Sequence, residues 1–353
     1  MKVSIGTKTK EGPWGGGNLF AINLGEHLSK KGFEVIYNLE DDDIDVILLT
    51  EPRRTSESSA FTHIDILKYQ QFVNNKVVVI HRINECDERK KTNYVNSYLI
   101  EANTVADATV FVSTWLKNLF LDQGLDNKNI NVILSGAKPE IFNMEGQVLL
   151  KNEEPIRIVT HHWGANWNKG FDTYEKLDNM LSEEEYKSKF IFTYIGNIPK
   201  KFNFKNTKLI PPLSGLELAK ELKKNHIYLT GSLNEPSGNH HIEAAQCGLP
   251  ILYLDSGGMP EYCDGFGLTF NSSNFEQKLN EMVENYEKYL SKMPEYPFNS
   301  NLMCEEYEKL FLELFADREK ISRTKQNKKL LNIFEKYIYL ISRYLKNKLR
   351  KYN

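Results

Sequence analysis

Two carboxylates, Glu235 and Glu243, stand in a setting that could recognise a phosphorylated ligand. They lie in Thr230-Gly-Ser-Leu-Asn-Glu-Pro-Ser-Gly-Asn-His-His-Ile-Glu-Ala-Ala-Gln-Cys-Gly-Leu-Pro250. The apolar run that ends at Thr230 reads as a strand, Pro236-Ser237-Gly238 as a tight turn, and a helix begins near Gly238. A helix starting at the end of a parallel strand points free N–H groups and its positive dipole end outward, which suits a phosphate. Ser237, Gly238 and Asn239 would supply those amides. Glu235 sits just before the turn, placed to meet a group next to the phosphate. Glu243, one to two turns into the helix, could accept paired hydrogen bonds from the vicinal hydroxyls of a ribose. Without the surrounding motif the pair would read as a solvated turn residue and a helix-surface charge.

Other segments carry weaker chemistry. Gly15, Gly16 and Gly17 follow the first strand and precede a helix, where missing side chains let backbone approach a ligand. The run is not G-x-G-x-x-G, and no acid follows the second strand in a dinucleotide arrangement, which weighs against an NAD enzyme. Asp41-Asp-Asp-Ile-Asp45 has the composition of a metal-binding acidic motif, but it precedes its strand and reads as an acidic loop. His161-His162 and His240-His241 are adjacent pairs without the i, i+4 spacing of two ligands on one helix face. No metal is expected.

The elements that must hold these residues alternate between strand and helix, the pattern of an α/β architecture with parallel sheets. Strands are expected over 2–7, 34–37, 44–49, 77–81, 109–112 and 131–134, with a helix over 18–31 ending at Gly32. A polar linker over 145–155 ends in Glu-Glu-Pro, and the cycle restarts. Strands then fall over 156–160, 190–195, 209–211, 227–230 and 251–254, and helices over 171–181, 216–224 and 239–247. Two doubly wound, Rossmann-like domains follow, over 1–150 and 151–300, facing each other across a cleft. A crossing helix over 301–316 returns to the first domain. In such sheets ligands bind beyond the carboxyl ends of the strands.

The ordered stretch around Glu235 and Glu243 resembles family 4 glycosyltransferases of the GT-B fold, with their Glu-x7-Glu spacing. Asp255-Ser-Gly-Gly-Met-Pro-Glu261 is similar to that family's Gly-Gly-x-x-Glu loop, and the likeness extends to Gly16-Gly17, to Ser135-Gly-Ala-Lys-Pro-Glu-Ile-Phe142 and to Lys169-Gly170. The resemblance implies that Glu235 faces the donor sugar, Glu243 the nucleotide ribose and Lys169 the donor diphosphate. It also implies that His81 touches the donor sugar near the reacting carbon. The family's arginine five residues before the lysine is absent: His161-His162-Trp163-Gly164 stands there, so His162 or Asn168 is the expected substitute. Arg82, Asn84 and Asp87 fall where an acceptor side could form. The implied activity is retaining, metal-independent transfer of a hexosyl group from a nucleotide-sugar co-substrate to a glycan or lipid-linked hydroxyl, in surface polysaccharide or glycoconjugate synthesis. No cofactor is implied. A sugar-nucleotide epimerase of the same fold and a non-catalytic nucleotide-sugar binder are the rivals.

Composition sets the remaining bounds. Hydrophobic content of 41% and charged content of 26% are those of a globular protein with a sizeable core. Cys86, Cys247, Cys263 and Cys304 form no C-x-x-C pair, which points to a reducing compartment. No signal-peptide pattern and no membrane-spanning run are read, so a cytoplasmic location is expected. The net charge of −2 divides unequally: residues 317–353 carry 12 basic and 3 acidic side chains, above an acidic body. Leu330, Phe334, Tyr337, Ile338, Ile341, Tyr344 and Leu345 recur at helical spacing among them. This basic amphipathic tail suits an anionic membrane surface better than nucleic acid, which an acidic body would repel.

Overall fold

The computed structural model describes residues 1–10, 12, 15–325 and 333–350, with the side chains of 324–325, 333–335, 344 and 346–350 left aside. Twelve strands form two six-stranded sheets in which every pairing is parallel. The first contains β1 (Lys2–Ile5), β2 (Glu34–Ile36), β3 (Val46–Leu49), β4 (Val78–Ile83), β5 (Ala108–Phe111) and β6 (Ile130–Val132) in the order 2-1-3-4-5-6. The second contains β7 (Ile156–His162), β8 (Phe190–Gly196), β9 (Lys208–Ile210), β10 (Ile227–Thr230), β11 (Ile251–Leu254) and β12 (Gly267–Phe270) in the order 12-11-10-7-8-9. Strands β3, β4, β5 and β10 are buried along their whole length, as apolar strands covered on both faces must be. The doubly wound α/β class expected from the sequence is the observed one.

The structure differs from the sequence reading in several element limits and in one further strand. The first helix begins at Gly16 rather than 18, because Gly15 already has extended N-cap geometry. Strand β7 runs on to His162 through register with Gly196, carrying both histidines to the carboxyl edge of the sheet. Strand β12 escaped notice because Gly267-Leu-Thr-Phe270 is short and begins with glycine, a poor strand former.

In each sheet the strand order reverses beside the first strand of its set. In the second sheet that reversal lies between β7 and β10, so the loops after these two strands flank one crevice. Lys169 follows β7 and Glu235 follows β10. The helix Ser300–Ala316 leaves the second set and packs Met303, Tyr307, Phe311 and Leu314 against β1, β3 and β4 of the first. The acidic loop before β3 lies at the amino edge of its sheet, away from the crevice, where Lys2 Nζ holds Asp41 and Asp43 at 3.0 and 2.7 Å.

In the tail the helix Ile333–Arg350 lies against the helix His63–Phe72. Arg343 binds Asp42 at 2.7 Å and the carbonyl of Leu39, and Tyr339 meets Phe72 with ring centres 5.9 Å apart. Leu330 and the side chains of Phe334 and Tyr344 lie outside the described residues. No helix among the described residues is long and apolar enough to cross a membrane.

The two units are joined by polar contacts as well as by the crossing helix. Glu261 accepts hydrogen bonds from the backbone amides of Thr114 and Trp115 at 2.7 and 2.8 Å, placing its charge on the N-terminus of the helix Thr114–Asp122. Tyr262 links the same edges, donating to Val112 O at 2.5 Å and accepting from Ser135 N at 2.9 Å. Glu261→Ala should therefore lower unfolding stability by about 2 kcal/mol and Glu261→Gln by about 1 kcal/mol. Denaturant midpoints check this, and stability unchanged in both variants would remove the cap from the account.

Candidate functional site

The crevice between the two sheets encloses about 780 Å³. Its floor on the second-domain side is built by three close backbone approaches. Gly170 has φ +105°, and a Cβ on it would lie 2.6 Å from the carbonyl carbon of Gly231; a Cβ on Gly231 would in turn meet Thr173. This glycine-to-glycine contact lets the loop carrying Lys169 lie against the loop carrying Glu235. On the other flank Gly257, at φ +66°, would place a Cβ 2.5 Å from Glu235 O. Gly258 donates its amide to that carbonyl at 2.9 Å and would meet Ser113 of the first domain if it carried a side chain. These glycines fix where Glu235 stands.

Glu235 is 3% exposed. Lys169 Nζ lies 2.6 Å from Oε2 and Arg89 Nε lies 3.0 Å from Oε1, one cation from each domain. Burial pushes the carboxyl upward, but the charges of Arg89 and Lys169 outweigh it and hold the group at about 2. Glu235 is thus a fixed anion and a poor proton acceptor near neutrality. Arg89 also pairs with Glu85, which in turn holds Lys90 and stands 4.0 Å from Arg53. The backbone of this segment is stitched to the second domain: Asn168 Nδ2 donates to Arg89 O at 3.0 Å, and Asn234 Nδ2 to Glu88 O at 3.3 Å.

The helix Asn239–Gln246 opens onto the same space. Gly238 is its N-cap, no side chain caps its first turn, and the Ser237 hydroxyl is buried without a partner. A Cβ on Gly238 would strike the His240 ring. Gly16 lines the crevice from the opposite domain, close enough that a Cβ would lie 3.1 Å from Asn239 Oδ1; Gly17 also lines it, with open space around its Cα. Glu243, 6% exposed, is bound by His161 Nε2 at 2.9 Å.

The structure brings together Gly16, Gly17, His162, Lys169, Glu235, Ser237, Gly238, Asn239 and Glu243. It does not bring His81 with them. Side chains alternate along β4, so Arg82 faces the crevice while His81 turns to the opposite layer, fully buried, with Asn103 Nδ2 3.2 Å from its Nδ1. Burial pulls His81 down to about 3. His162 also departs from its expected part as a substitute cation. Its Nε2 contacts Tyr174 Oη at 2.6 Å, and burial, then the nearby Lys169 charge, hold it neutral. Asp87 organises a turn rather than an acceptor wall: its carboxylate accepts from Thr92 Oγ1 and from the amides of Tyr94, Val95 and Asn96. Arg89, Glu85 and the His161–Glu243 contact were not foreseen. The only signal for Arg89 was the charge-dense run Glu85-Cys-Asp-Glu-Arg-Lys90 directly after a central strand.

Comparison with known proteins agrees with the fold. No protein-family model matches the chain. The gpi3 subunit of phosphatidylinositol N-acetylglucosaminyltransferase from Schizosaccharomyces pombe is 24% identical over 158 residues, covering 42% of this chain and 34% of that protein. The chain thus spans about a third of that relative's length. Among solved structures, sucrose-phosphate synthase from Thermosynechococcus elongatus superposes with a TM-score of 0.60 at 13% identity, over 89% of this chain and 99% of that one. Anabaena HepE, solved in complex with UDP-glucose, does so with 0.62 at 11% identity, over 89% and 99%. The fold is GT-B.

The Glu235 ion pairs make a pH prediction. The folded value near 2 lies below the ordinary value of 4.5, so their stabilisation is present above about 4.5 and is lost as pH falls towards 2. Glu235→Gln should lower stability at pH 7 by roughly 2–4 kcal/mol and flatten the fall in melting temperature between pH 4.5 and 2.5. Thermal unfolding followed across that range tests both parts.

Proposed function

We propose that the protein transfers a hexosyl group from a nucleotide-sugar to a hydroxyl of a glycan or lipid-linked acceptor, with retention at the anomeric carbon. The observation that carries the reading is a single crevice holding an uncapped helix N-terminus, Lys169, and two buried carboxylates eight residues apart. In this reading the diphosphate lies on the Ser237–Asn239 amides with Lys169, the ribose hydroxyls on Glu243, and the sugar hydroxyls against Glu235. The GT-B likeness supports a nucleotide-sugar site, and HepE has been solved with UDP-glucose.

The chemistry follows from what these residues can do. The bond between the anomeric carbon and the diphosphate oxygen breaks, and its electron pair leaves with the diphosphate. Preorganised cations and amides at that leaving oxygen are the main catalytic contribution. The acceptor hydroxyl forms the new bond from the same face and passes its proton to the departing phosphate oxygen. Glu235, held near 2, is too weak a base to take that proton, and its negative charge instead orients the sugar hydroxyls. Lys169 and the helix end meet the diphosphate charge, so the reading needs no metal.

The tail supports an acceptor at a membrane surface. With Tyr339 and Arg343 turned to the body, Tyr337, Ile338, Ile341 and Leu345 are each more than half exposed and share one flank of a basic segment. The name of the gpi3 relative is that of a phosphatidylinositol glycosyltransferase, which agrees with a lipid-linked acceptor.

Two measurements test these readings. Against a panel of nucleotide-sugars, one donor should stabilise the protein thermally and be slowly hydrolysed, and Glu235→Ala should reduce that hydrolysis at least about 100-fold; a panel without any binder would end the reading. In flotation with anionic vesicles, Ile338→Asp together with Ile341→Asp should abolish co-flotation of the full chain. Equal flotation of variant and wild type would remove the membrane reading and leave the transferase reading standing.

A further inference from the structure

A second positive group stands beside Lys169 at the donor site of the reading above. A diphosphate leaving group gathers negative charge, and on the second-domain side of the crevice the Glu235 ion pair holds one cation, Lys169. His162, which occupies the edge of β7 beside it, is neutral for the reasons given above. We propose that Arg89 is the second cation of the donor diphosphate site, supplied from the opposite wall of the crevice. This rests on the proposed nucleotide-sugar site and names which side chain completes it.

Three observations converge on Arg89. First, it is the first-domain cation in contact with Glu235, the carboxylate that also binds Lys169, so the two positive groups flank one anion within the crevice. Second, its backbone is anchored from the second domain by Asn168, whose neighbour in sequence is Lys169 itself. With the walls together the two cations are therefore held side by side, although they belong to different domains. Third, the connected ion network is unbalanced. Arg53, Arg89, Lys90 and Lys169 stand against Glu51, Glu85 and Glu235, four cations to three carboxylates, all of them lining the crevice. A surplus positive charge in a partly desolvated cleft is a site prepared for an anion.

The other first-domain cations of that ion network, and Arg82 beside it, are less suited. Arg53 is engaged by Glu51 through two hydrogen bonds, Nε to Oε1 at 2.7 Å and Nη2 to Oε2 at 2.5 Å. Arg82 stacks on Phe20 with its guanidinium carbon 4.0 Å from the ring centre. Lys90 is turned to Glu85. Arg89 has a planar fork that can keep its contact with Glu235 through Nε while presenting another N–H to a phosphate oxygen. Because it comes from the other domain, the diphosphate clamp is complete only when both walls meet, which ties donor cleavage to closure.

The test is calorimetric titration of the full-length protein with UDP, GDP and ADP, each paired with its monophosphate. For whichever diphosphate the wild type binds, Arg89→Gln should weaken that affinity at least about tenfold, while the matching monophosphate changes less than about threefold. Arg89→Lys, which keeps the charge and loses the fork, should fall between. It also serves as the folded comparison should the glutamine variant lose stability. Unchanged diphosphate affinity, or equal losses for diphosphate and monophosphate, would make Arg89 a structural counter-ion of Glu235 and overturn the inference. If the wild type binds none of the six nucleotides, the nucleotide-sugar reading itself fails, a result distinct from either.

Discussion

A carboxylate buried to the extent of Glu235 cannot stay charged without partners, and this constraint organises the crevice. Removing an ion from water costs several kcal/mol, and only close opposite charge offsets it. Here the offset comes from two cations on two separate sheets. The loop after β7 must deliver Lys169, the loop after β10 must deliver Glu235, and the segment after β4 must deliver Arg89 to the same point. Each demand then propagates outward. Lys169 reaches Glu235 because Gly170 and Gly231 let two backbones touch. Arg89 reaches it because Asn168 and Asn234 bind the main chain of residues 88 and 89.

The histidines around this triad follow from the same electrostatics. His161, His162, His240 and His241 are buried within a few ångströms of one another, with the His162 and His240 ring centres 4.6 Å apart. Protonating His162, His240 or His241 would place a further positive charge beside Lys169. Burial together with that charge keeps His162 and His240 neutral, and burial draws His241 to about 3. His161 Nε2 donates a hydrogen bond to Glu243 at 2.9 Å, keeping the carboxylate turned into the crevice. Beside these rings the charges nearest Glu235 are those of Arg89 and Lys169.

Much of this was legible in the sequence, and the reasons for the remainder are specific. Local order carries the second-domain site: strand, turn and helix are consecutive, so Glu235, Ser237, Gly238 and Asn239 could be placed by counting. The parallel sheets were visible because buried strands are near-continuous apolar runs. His81 was misplaced by one position, which in a strand reverses the face, and nothing local says which of two adjacent residues looks into the crevice. Arg89 could not be found by spacing because its partner lies 146 residues away. Such a pair depends on how two domains face each other, and no periodicity encodes that. The basic tail was visible as a pattern, but its attachment through Arg343 to the loop before β3 is again a long-range contact.

The placement of Glu261 shows how the domain arrangement and the site are coupled. Its carboxylate closes the N-terminus of a first-domain helix, while Gly257 and Gly258, four and three residues earlier, press on the backbone of Glu235. One short loop thus holds the interdomain contact and the carboxylate position together. Separating the domains would take Glu261 from the first two amides of the helix Thr114–Asp122, withdraw Arg89 from Glu235 and free the loop that keeps Glu235 in place. These losses reinforce one another, so a partly opened crevice gives up several interactions at once. The coupling also runs the other way: bringing the walls together caps the helix with Glu261 and sets Arg89 against Glu235 in the same step.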